Sequence, residues 1–445
     1  MTIQALIDGG QLEEPIVNTQ SQPNDGDGDG EQPDKVVASF DIAKAFYSLP
    51  QHIIREVIGR RAPSLMWIAN TFYGADPASI AFNLSDGSLR IEKVLRGVLP
   101  GDPSGTAIMC MVLNDKMTPQ LAEEFADVTT VIFADDHHSI MPLERLGPFI
   151  ERFQQLLARI GCKSNITKCK VMAARNTDAH HQRLRAVADP LGIAVVEGMI
   201  ITGYPVSPSR DFRVAWVDDL AKKVANEQAA LVRALEEDFH SGPRYQALLN
   251  AVRQTAAASF LWAARALPPS ITQAAAERLD GDIRDLVYNS LNLREPHARL
   301  NANDQSYANA RLALGMKHGG MGLARCEQSI TGAYLGGVVD LARTLARHSP
   351  TFNIDKLLPS TNKLYRNVVE RGRKVKHDSK VIIYNSIEDL AEKRRGKAVH
   401  HAVTKIYDAQ LFKEIIEQQG QSPRTAHLIA SQGKTAAAAL LAAPR

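Results

Sequence analysis

The spacing of apolar residues changes at Pro208, and this change constrains the fold more than any other feature of the sequence. After Pro208, apolar residues recur at intervals of four, seven, four and four, which predicts an amphipathic helix over about 216–239. The residues of this apolar face are Leu220, Val224, Leu231, Leu235 and Phe239. Two more helices are predicted at about 244–266 and 270–291. Before Pro208, short strands alternate with helices, so the sequence predicts an α+β fold.

The part before Pro208 contains several strand signals. A strand over 36–40 leads through Asp41 into a turn and a helix. The β-branched segment 128–133 and the segment 137–141 are predicted to pair, with Ala134-Asp135-Asp136 at the tip of the hairpin. Further strands are predicted at 80–84 and 89–94, joined through Asp86-Gly87, and at 170–173 and 193–202, with helices at 64–73, 104–124 and 146–161.

Composition excludes several classes of protein. Hydrophobic residues make up 44% and charged residues 23% of the 445-residue chain, as in ordinary globular proteins. The 4 cysteines form no C-x-x-C pair, which argues against a disulfide scaffold or a zinc knuckle. We find neither a run of 18 apolar residues nor a secretory leader, so the sequence predicts an intracellular protein without a membrane span, and leaves the compartment open.

Charge and glycine content divide the chain further. The first 34 residues hold eight acids and no Lys or Arg, although the whole chain carries a net charge of +3. We expect a disordered acidic leader over 1–35, a mixed α/β part over 36–207 and a helical region over 208–300. A Gly-rich helical region over 301–362 and a basic helical tail over 363–445 follow.

Three carboxylates are candidates for one site. Asp41 ends a predicted strand, and Asp135 and Asp136 lie in a predicted turn, so folding could bring the three together. Hard oxygen ligands of this kind suit Mg²⁺, and two such ions support nucleotidyl transfer. Taken alone, an Asp-Asp pair in a hairpin is more often simple turn chemistry, and the residues by themselves leave that alternative open.

Four segments, in order, resemble the palm of a reverse transcriptase, especially of the non-LTR retrotransposon type. They are FDIAKAFYSLP at 40–50, RGVLPGDPSGTAIMCMVLN at 96–114, VIFADDHHSI at 131–140 and GCKSNITKCKVM at 161–172. Segments 248–282 and 312–337 are similar to the helical thumb and a Gly-Gly-x-Gly-Leu element of such retroelement proteins. The resemblance implies a polymerase palm with an antiparallel sheet and packed helices, followed by an α-helical thumb and further helices.

The resemblance also implies roles for single residues at the metal site. Asp41 and Asp135 would be metal ligands, Asp136 a supporting carboxylate, and the backbone carbonyl of Ile42 would help hold the second ion. Lys168 would protonate the pyrophosphate leaving group. The implied cofactor is Mg²⁺, with Mn²⁺ as an alternative.

Another set of residues would meet the incoming nucleotide. By resemblance, Phe46 would lie under the sugar and exclude a 2′-hydroxyl, and Gly101 would let the backbone approach the nascent base pair. Ser104 would cap the following helix. The chain departs from the family pattern at Pro100, where Gln is usual, and at Gly105, where Pro is usual.

The resemblance implies a partner set and leaves an alternative. An RNA template, a DNA primer and deoxynucleoside triphosphates would be bound, by a chain in which the fingers subdomain that precedes the first palm motif is missing or incomplete. For such a truncated chain, the resemblance leaves two interpretations. One is a working RNA-directed DNA polymerase, and the other is a catalytically inactive nucleic-acid-binding protein of the same fold. A helical scaffold unrelated to nucleic acid would require all four resemblances to be accidental. The oligomeric state stays open.

The tail adds a second candidate nucleic-acid surface. Residues 363–397 hold eleven Lys and Arg against five acids, a balance that favours salt-dependent binding to a phosphate backbone. The predicted contact residues are Arg371, Arg373, Lys374, Lys376, Lys393, Arg394 and Arg395. A solvated basic helix face is the alternative interpretation.

Overall fold

The computed structural model describes residues 34–74, 79–93, 96–98, 104–133, 136–238, 244–315, 320–323, 325–348, 359–375, 384 and 386–419. Most of the predicted acidic leader lies outside these residues. So do several residues that the sequence singled out, namely Pro100, Gly101, Ala134, Asp135, Phe239 and Lys376.

The structure is a mixed α+β fold, as the sequence predicted. Its strands are β1 (Lys35–Phe40), β2 (Ser79–Asn83), β3 (Leu89–Lys93), β4 (Thr129–Phe133), β5 (Asp136–Pro142), β6 (Lys170–Ala173), β7 (Ala194–Val195), β8 (Met199–Ile201) and β9 (Tyr204–Val206). The main sheet has the order β4-β5-β1-β6-β7, antiparallel except for the parallel pair β6 and β7. The pairs β2-β3 and β8-β9 form separate hairpins.

The helices of the mixed part are α1 (Ala45–Ser48), α2 (Gln51–Arg61), α3 (Met66–Phe72), α4 (Gly105–Lys116), α5 (Thr118–Glu124), α6 (Leu146–Arg159) and α7 (Asp178–Ala188). Those that follow are α8 (Arg210–Asp238), α9 (Arg244–Ala264), α10 (Pro269–Ser290), α11 (Arg294–Ala298), α12 (Ala302–Ala313), α13 (Cys326–His348), α14 (Pro359–Lys374), α15 (Ile387–Lys393) and α16 (Gly396–Gln419). No described helix is long and apolar enough to cross a bilayer.

Strand β1 is covered on both of its faces. Val36 and Phe40 point to a core built with helices α2, α4, α6 and α7, where Phe40 packs against Phe149 and Phe153. Val37 points to the opposite face and packs with residues of the β8-β9 hairpin. This double burial explains why Val36, Val37 and Ala38 are consecutive apolar residues instead of alternating with polar ones.

Two sequence predictions about elements were wrong in detail. The helix predicted over 104–124 divides at Met117 into α4 and α5, because Pro119 has no N–H to continue the hydrogen-bonding pattern. The strand predicted over 193–202 is likewise two strands, and only β7 pairs with β6. Between β7 and β8, Gly198 lies against the ring of Phe212, where a Cβ atom would approach within 2.6 Å.

Among the described residues, the helical part has two large hydrophobic cores that share one helix, and a smaller cluster of Ala310, Leu314 and Ile415. Helices α8, α9 and α10 enclose the first of these cores, which reaches Ile330 in α13. The second begins at Tyr334 in the same helix and includes residues of α14, α15 and α16. Helix α13 therefore connects the region predicted as 208–300 with the basic tail.

Candidate functional site

Asp41 and Asp136 are the residues next to the last pair of the β1–β5 register. Phe40 in β1 pairs with His137 in β5, and extending this antiparallel register by one residue sets Asp41 opposite Asp136. Directly opposed side chains have Cβ atoms about 5 Å apart. Both carboxylates lie on the face of the sheet on which the β8-β9 hairpin packs. Asp136 is exposed and Asp41 half-buried, so the pair opens to solvent.

The segment before β6 fixes the backbone of Asp41. The N–H of Asn165 donates to the Asp41 carbonyl at 2.8 Å, and the N–H of Ala43 donates to the carbonyl of Lys163, also at 2.8 Å. These two bonds join the first and fourth sequence motifs, which are far apart along the chain. The motif at 161–172 therefore lies directly beside the predicted metal ligand.

The same hydrogen bonds orient the carbonyl of Ile42. Ile42 forms an antiparallel bridge with Ser164. In a planar trans peptide, the carbonyl of one residue points opposite to the N–H of the next. Since the N–H of Ala43 points to the 163–165 segment, the Ile42 carbonyl points away from it, to the side on which β5 and Asp136 lie. The role of that carbonyl in holding a second metal ion stays a prediction.

Lys168 is exposed at the end of a short 3-10 turn, Ile166–Lys168. The next residue, Cys169, is buried, and this burial raises the pKa of its thiol. A hydrogen bond with the Asp41 backbone lowers that pKa, and the negative charge of Asp41 raises it.

Phe46, in α1, is partly buried against the core of the mixed part. The N–H of Val98 donates to its carbonyl at 2.6 Å. Gly97 packs against the backbone of Phe46 and Tyr47 and has a φ of +82°. A Cβ atom at Gly97 would lie 2.5 Å from the Cα of Tyr47 and would collide with the carbonyl of Phe46. Gly97 is a residue that the sequence analysis missed, although its position at the start of the second motif is a signal.

Ser104 occupies the N-cap position of α4, and its carbonyl accepts the N–H of Ile108 at 2.9 Å. The expected side-chain cap is wrong, because within the described residues its hydroxyl accepts no N–H of the first helical turn. The backbone of Ser104 is in the right-handed helical region, whereas capping side chains need an extended backbone. Its contact with a nucleotide stays a prediction.

Two histidines follow Asp136 on β5, and both are buried. The ring of His137 meets Phe153 edge-on at 5.2 Å. Burial lowers the pKa of His138, against the opposing charge of Asp136, and its ring nitrogens have no hydrogen-bond partner in the described chain. Among the described residues, no three His, Cys, Asp or Glu side chains are grouped to bind a metal ion.

The basic tail residues divide into two groups. Arg371 places its guanidinium 4.4 Å from the ring centre of Tyr407, and Arg394 lies 6.0 Å from that of Tyr384. Both side chains are half-buried, so they contribute to packing. The predicted contact residues that are exposed are Arg373, Lys374, Lys393 and Arg395.

Comparisons with known proteins give only distant similarity. No family model matches the chain. No curated protein matches it either. Among solved structures, the telomerase of Candida albicans in complex with the TWJ fragment of telomeric RNA aligns at 13% identity and a TM-score of 0.34, covering 62% of this chain and 49% of that one.

Two telomerase structures from Candida tropicalis are similar to the same degree. The apo form has 11% identity and a TM-score of 0.34 over 73% of this chain and 53% of its own. The form with the TWJ fragment of telomeric RNA has 12% identity and a TM-score of 0.33, and the alignment covers 74% of this chain and 49% of that one. The chain spans about half the length of these telomerases. At these TM-scores the likeness assigns neither fold nor activity.

Proposed function

We propose that this chain is an RNA-directed DNA polymerase of the non-LTR retrotransposon type, which extends a DNA primer on an RNA template. Two observations support the proposal: the β1–β5 register, which ends at Phe40 paired with His137, and the hydrogen bond from the Asn165 N–H to the Asp41 carbonyl. Continued by one residue, that register would set Asp41 opposite Asp136. Three of the four sequence motifs thereby meet at one end of the sheet. The order and content of the motifs supply the substrate class.

The donor set at this end of the sheet fits a divalent cation. Within the described part of the chain, neither Asp41 nor Asp136 forms an ion pair with a Lys, Arg or His side chain, so both carboxylates are available to a cation. Asp135 and the Ile42 carbonyl would complete the ligands of Mg²⁺ or Mn²⁺. When bound, such ions would supply Lewis acidity, which lowers the pKa of an attacking hydroxyl and offsets negative charge on a leaving pyrophosphate.

The remaining residues would position substrate and protons. Lys168 is exposed on the segment fixed to Asp41, from which its ammonium group would donate a proton to the pyrophosphate. The ring of Phe46, held by the packing of Gly97 against its backbone, would occupy the space of a 2′-hydroxyl and so favour deoxynucleotides. These roles follow from the motifs, and the structure supports them by holding Phe46 and the segment before Lys168 in place.

Primer extension on an RNA template tests the proposal. We expect the purified wild-type chain to add deoxynucleotides with Mg²⁺ or Mn²⁺, and the Asp41→Asn and Asp136→Asn variants to lose this activity. Asp219→Asn is the matched control, because Asp219 is 78% exposed on α8 and forms an ion pair with Lys222 three residues away. Absence of extension by the wild type, with salt-dependent binding to primer-template retained, would instead indicate the inactive nucleic-acid-binding protein.

A further inference from the structure

The β2-β3 hairpin stands apart from the main sheet and is open to solvent. Its strands pair from Ser79 with Lys93 to Asn83 with Leu89, and no other described strand joins them. All five residues of β3 are exposed, with Leu89 at 61% and Ile91 at 63%. A lone two-stranded ribbon is only marginally stable in water, and an exposed apolar edge is a template for pairing with another strand.

The backbone pattern identifies which groups face the open edge of β3. The N–H of Leu84 donates to the carbonyl of Ser88 at 2.8 Å, which makes them a hydrogen-bonded pair. Such pairs alternate along an antiparallel ribbon, so Arg90 and Glu92 direct their backbone groups at β2. The β3 residues that direct theirs at the open edge are Leu89, Ile91 and Lys93.

The charges of β3 are complementary to those of a second, antiparallel copy of the same strand, because Arg90 and Glu92 lie on either side of Ile91. If a second, antiparallel copy of β3 places its Ile91 opposite Ile91 of the first, each Arg90 lies opposite Glu92 of the other copy. Ile91 would then exchange two backbone hydrogen bonds with its counterpart. The Arg90 and Glu92 pairs would be of the non-hydrogen-bonded type, in which side chains come closest. The arrangement is isologous, as a two-fold dimer requires.

We propose that a second copy of this chain covers the open edge of β3, forming a four-stranded sheet about a two-fold axis at Ile91. Within one copy, Arg90 and Glu92 already form an ion pair at 2.5 Å, on the same face of the ribbon. Their side chains are 64% and 51% exposed, so both can reach a partner strand. On the other face, the dimer buries Ile91 against Ile91 and sets Leu89 beside the aliphatic stem of Lys93.

Charge reversal tests this dimer. We expect sedimentation velocity over a concentration series to show a dimer for the wild-type chain. Arg90→Glu sets two like-charged pairs across the axis and should raise the dissociation constant about tenfold or more, and Glu92→Arg should do the same. The double variant Arg90→Glu/Glu92→Arg restores both pairs and should restore the dimer.

Mixing the two single variants gives the sharpest readout. Each is expected to be largely monomeric alone, yet a heterodimer of the two has both cross-strand pairs complementary, so the mixture should sediment as a dimer. Arg299→Glu is the control, because it reverses one charge of an exposed pair with Glu295 on α11 and should leave the mass unchanged. Circular dichroism checks that the variants remain folded.

Several results would overturn the proposal. They are a wild-type chain that stays monomeric over the whole series, a dimer that both single reversals leave intact, and single variants that form no heterodimer on mixing. The dimer rests on the β2-β3 hairpin and on no residue of the Asp41 site, so its failure and the failure of the polymerase assay are independent.

Discussion

Gly97 is the residue whose replacement should show how tightly the turn after Asp41 is built. Its φ of +82° disfavours other residues, and a Cβ atom would lie 2.5 Å from the Cα of Tyr47. We expect Gly97→Ala to lower the free energy of unfolding by about 2 kcal/mol or more, from backbone strain and steric collision together. Urea denaturation followed by circular dichroism measures the change.

Gly147 provides the control for this substitution. It lies in α6, and an added Cβ atom would meet nothing within 4 Å. Gly147→Ala should leave the protein as stable as the wild type or more stable by up to about 1 kcal/mol, since alanine restricts the unfolded chain. An equal loss of stability in both variants would contradict the claim that the close contact and the positive φ at Gly97 make Gly97→Ala destabilising.

Asp280 should make stability depend on pH. Its carboxylate accepts the N–H groups of Cys326 and Glu327 at 2.8 and 2.9 Å, and burial raises its pKa from 3.8 to about 6. The folded protein therefore keeps this proton up to about pH 6, whereas the unfolded chain releases it near pH 4. The contribution of Asp280 to the free energy of unfolding therefore falls by up to about 3 kcal/mol as the pH rises from about 4 to about 6.

The Asp280→Asn variant isolates this contribution. Between about pH 4 and 6, the unfolding free energy of the wild type should decline with rising pH more steeply than that of the variant. Chemical denaturation at a series of pH values gives both slopes. Parallel curves for the two proteins would contradict the raised pKa of Asp280.

Single residues differ in how far the sequence predicts them. Asp41 and Asp136 were predicted as site residues because strand ends and turns are visible in local patterns, and the β1–β5 register ends next to both of them. Asp280 could not, because its burial and its two hydrogen bonds come from the start of α13, which is distant in the sequence. Packing between helices is what local periodicity does not encode.

The contact between α13 and α16 depends on closely approaching helix backbones. A Cβ atom at Gly336 would lie 2.6 Å from the carbonyl of Gly396. We expect Gly336→Ala to separate the helices and destabilise the protein by about 1–3 kcal/mol, measured as a lower melting temperature. Gly281→Ala in α10 is the control, since its Cβ atom would meet only the Arg284 guanidinium, at 3.7 Å. A loss no larger in Gly336→Ala than in this control would contradict the close contact.

Elements were predicted best where the signal is local. The strand at 170–173 has the bounds of β6, and Asp86-Gly87 lies in the turn between β2 and β3, with Gly87 at a φ of +79°. The basic tail was predicted as a charged surface, but Arg371 stacks on Tyr407 of a different helix. A side chain's charge does not reveal whether its stem packs against a neighbouring aromatic ring.

At the scale of the whole molecule, the candidate site lies at one end of the main sheet, and helical cores follow it along the chain. Strand pairing and backbone hydrogen bonds join the first, third and fourth motif segments, and the N–H of Val98 joins the second to the first at the carbonyl of Phe46. That these segments form one reaction site stays a prediction. The sequence motifs did not predict that α13 contributes to two hydrophobic cores. Both halves of that helix are similarly apolar, so the apolar pattern does not show which core each half joins.

The most direct test of the Asp41–Asp136 site is the rate of single-nucleotide incorporation by the two single Asn variants and the double variant. If both carboxylates serve one reaction centre, each single change should lower the rate about a hundredfold or more, and the double change should add little further loss. Losses that multiply in the double variant, or rates equal to that of the wild type, would contradict a shared site.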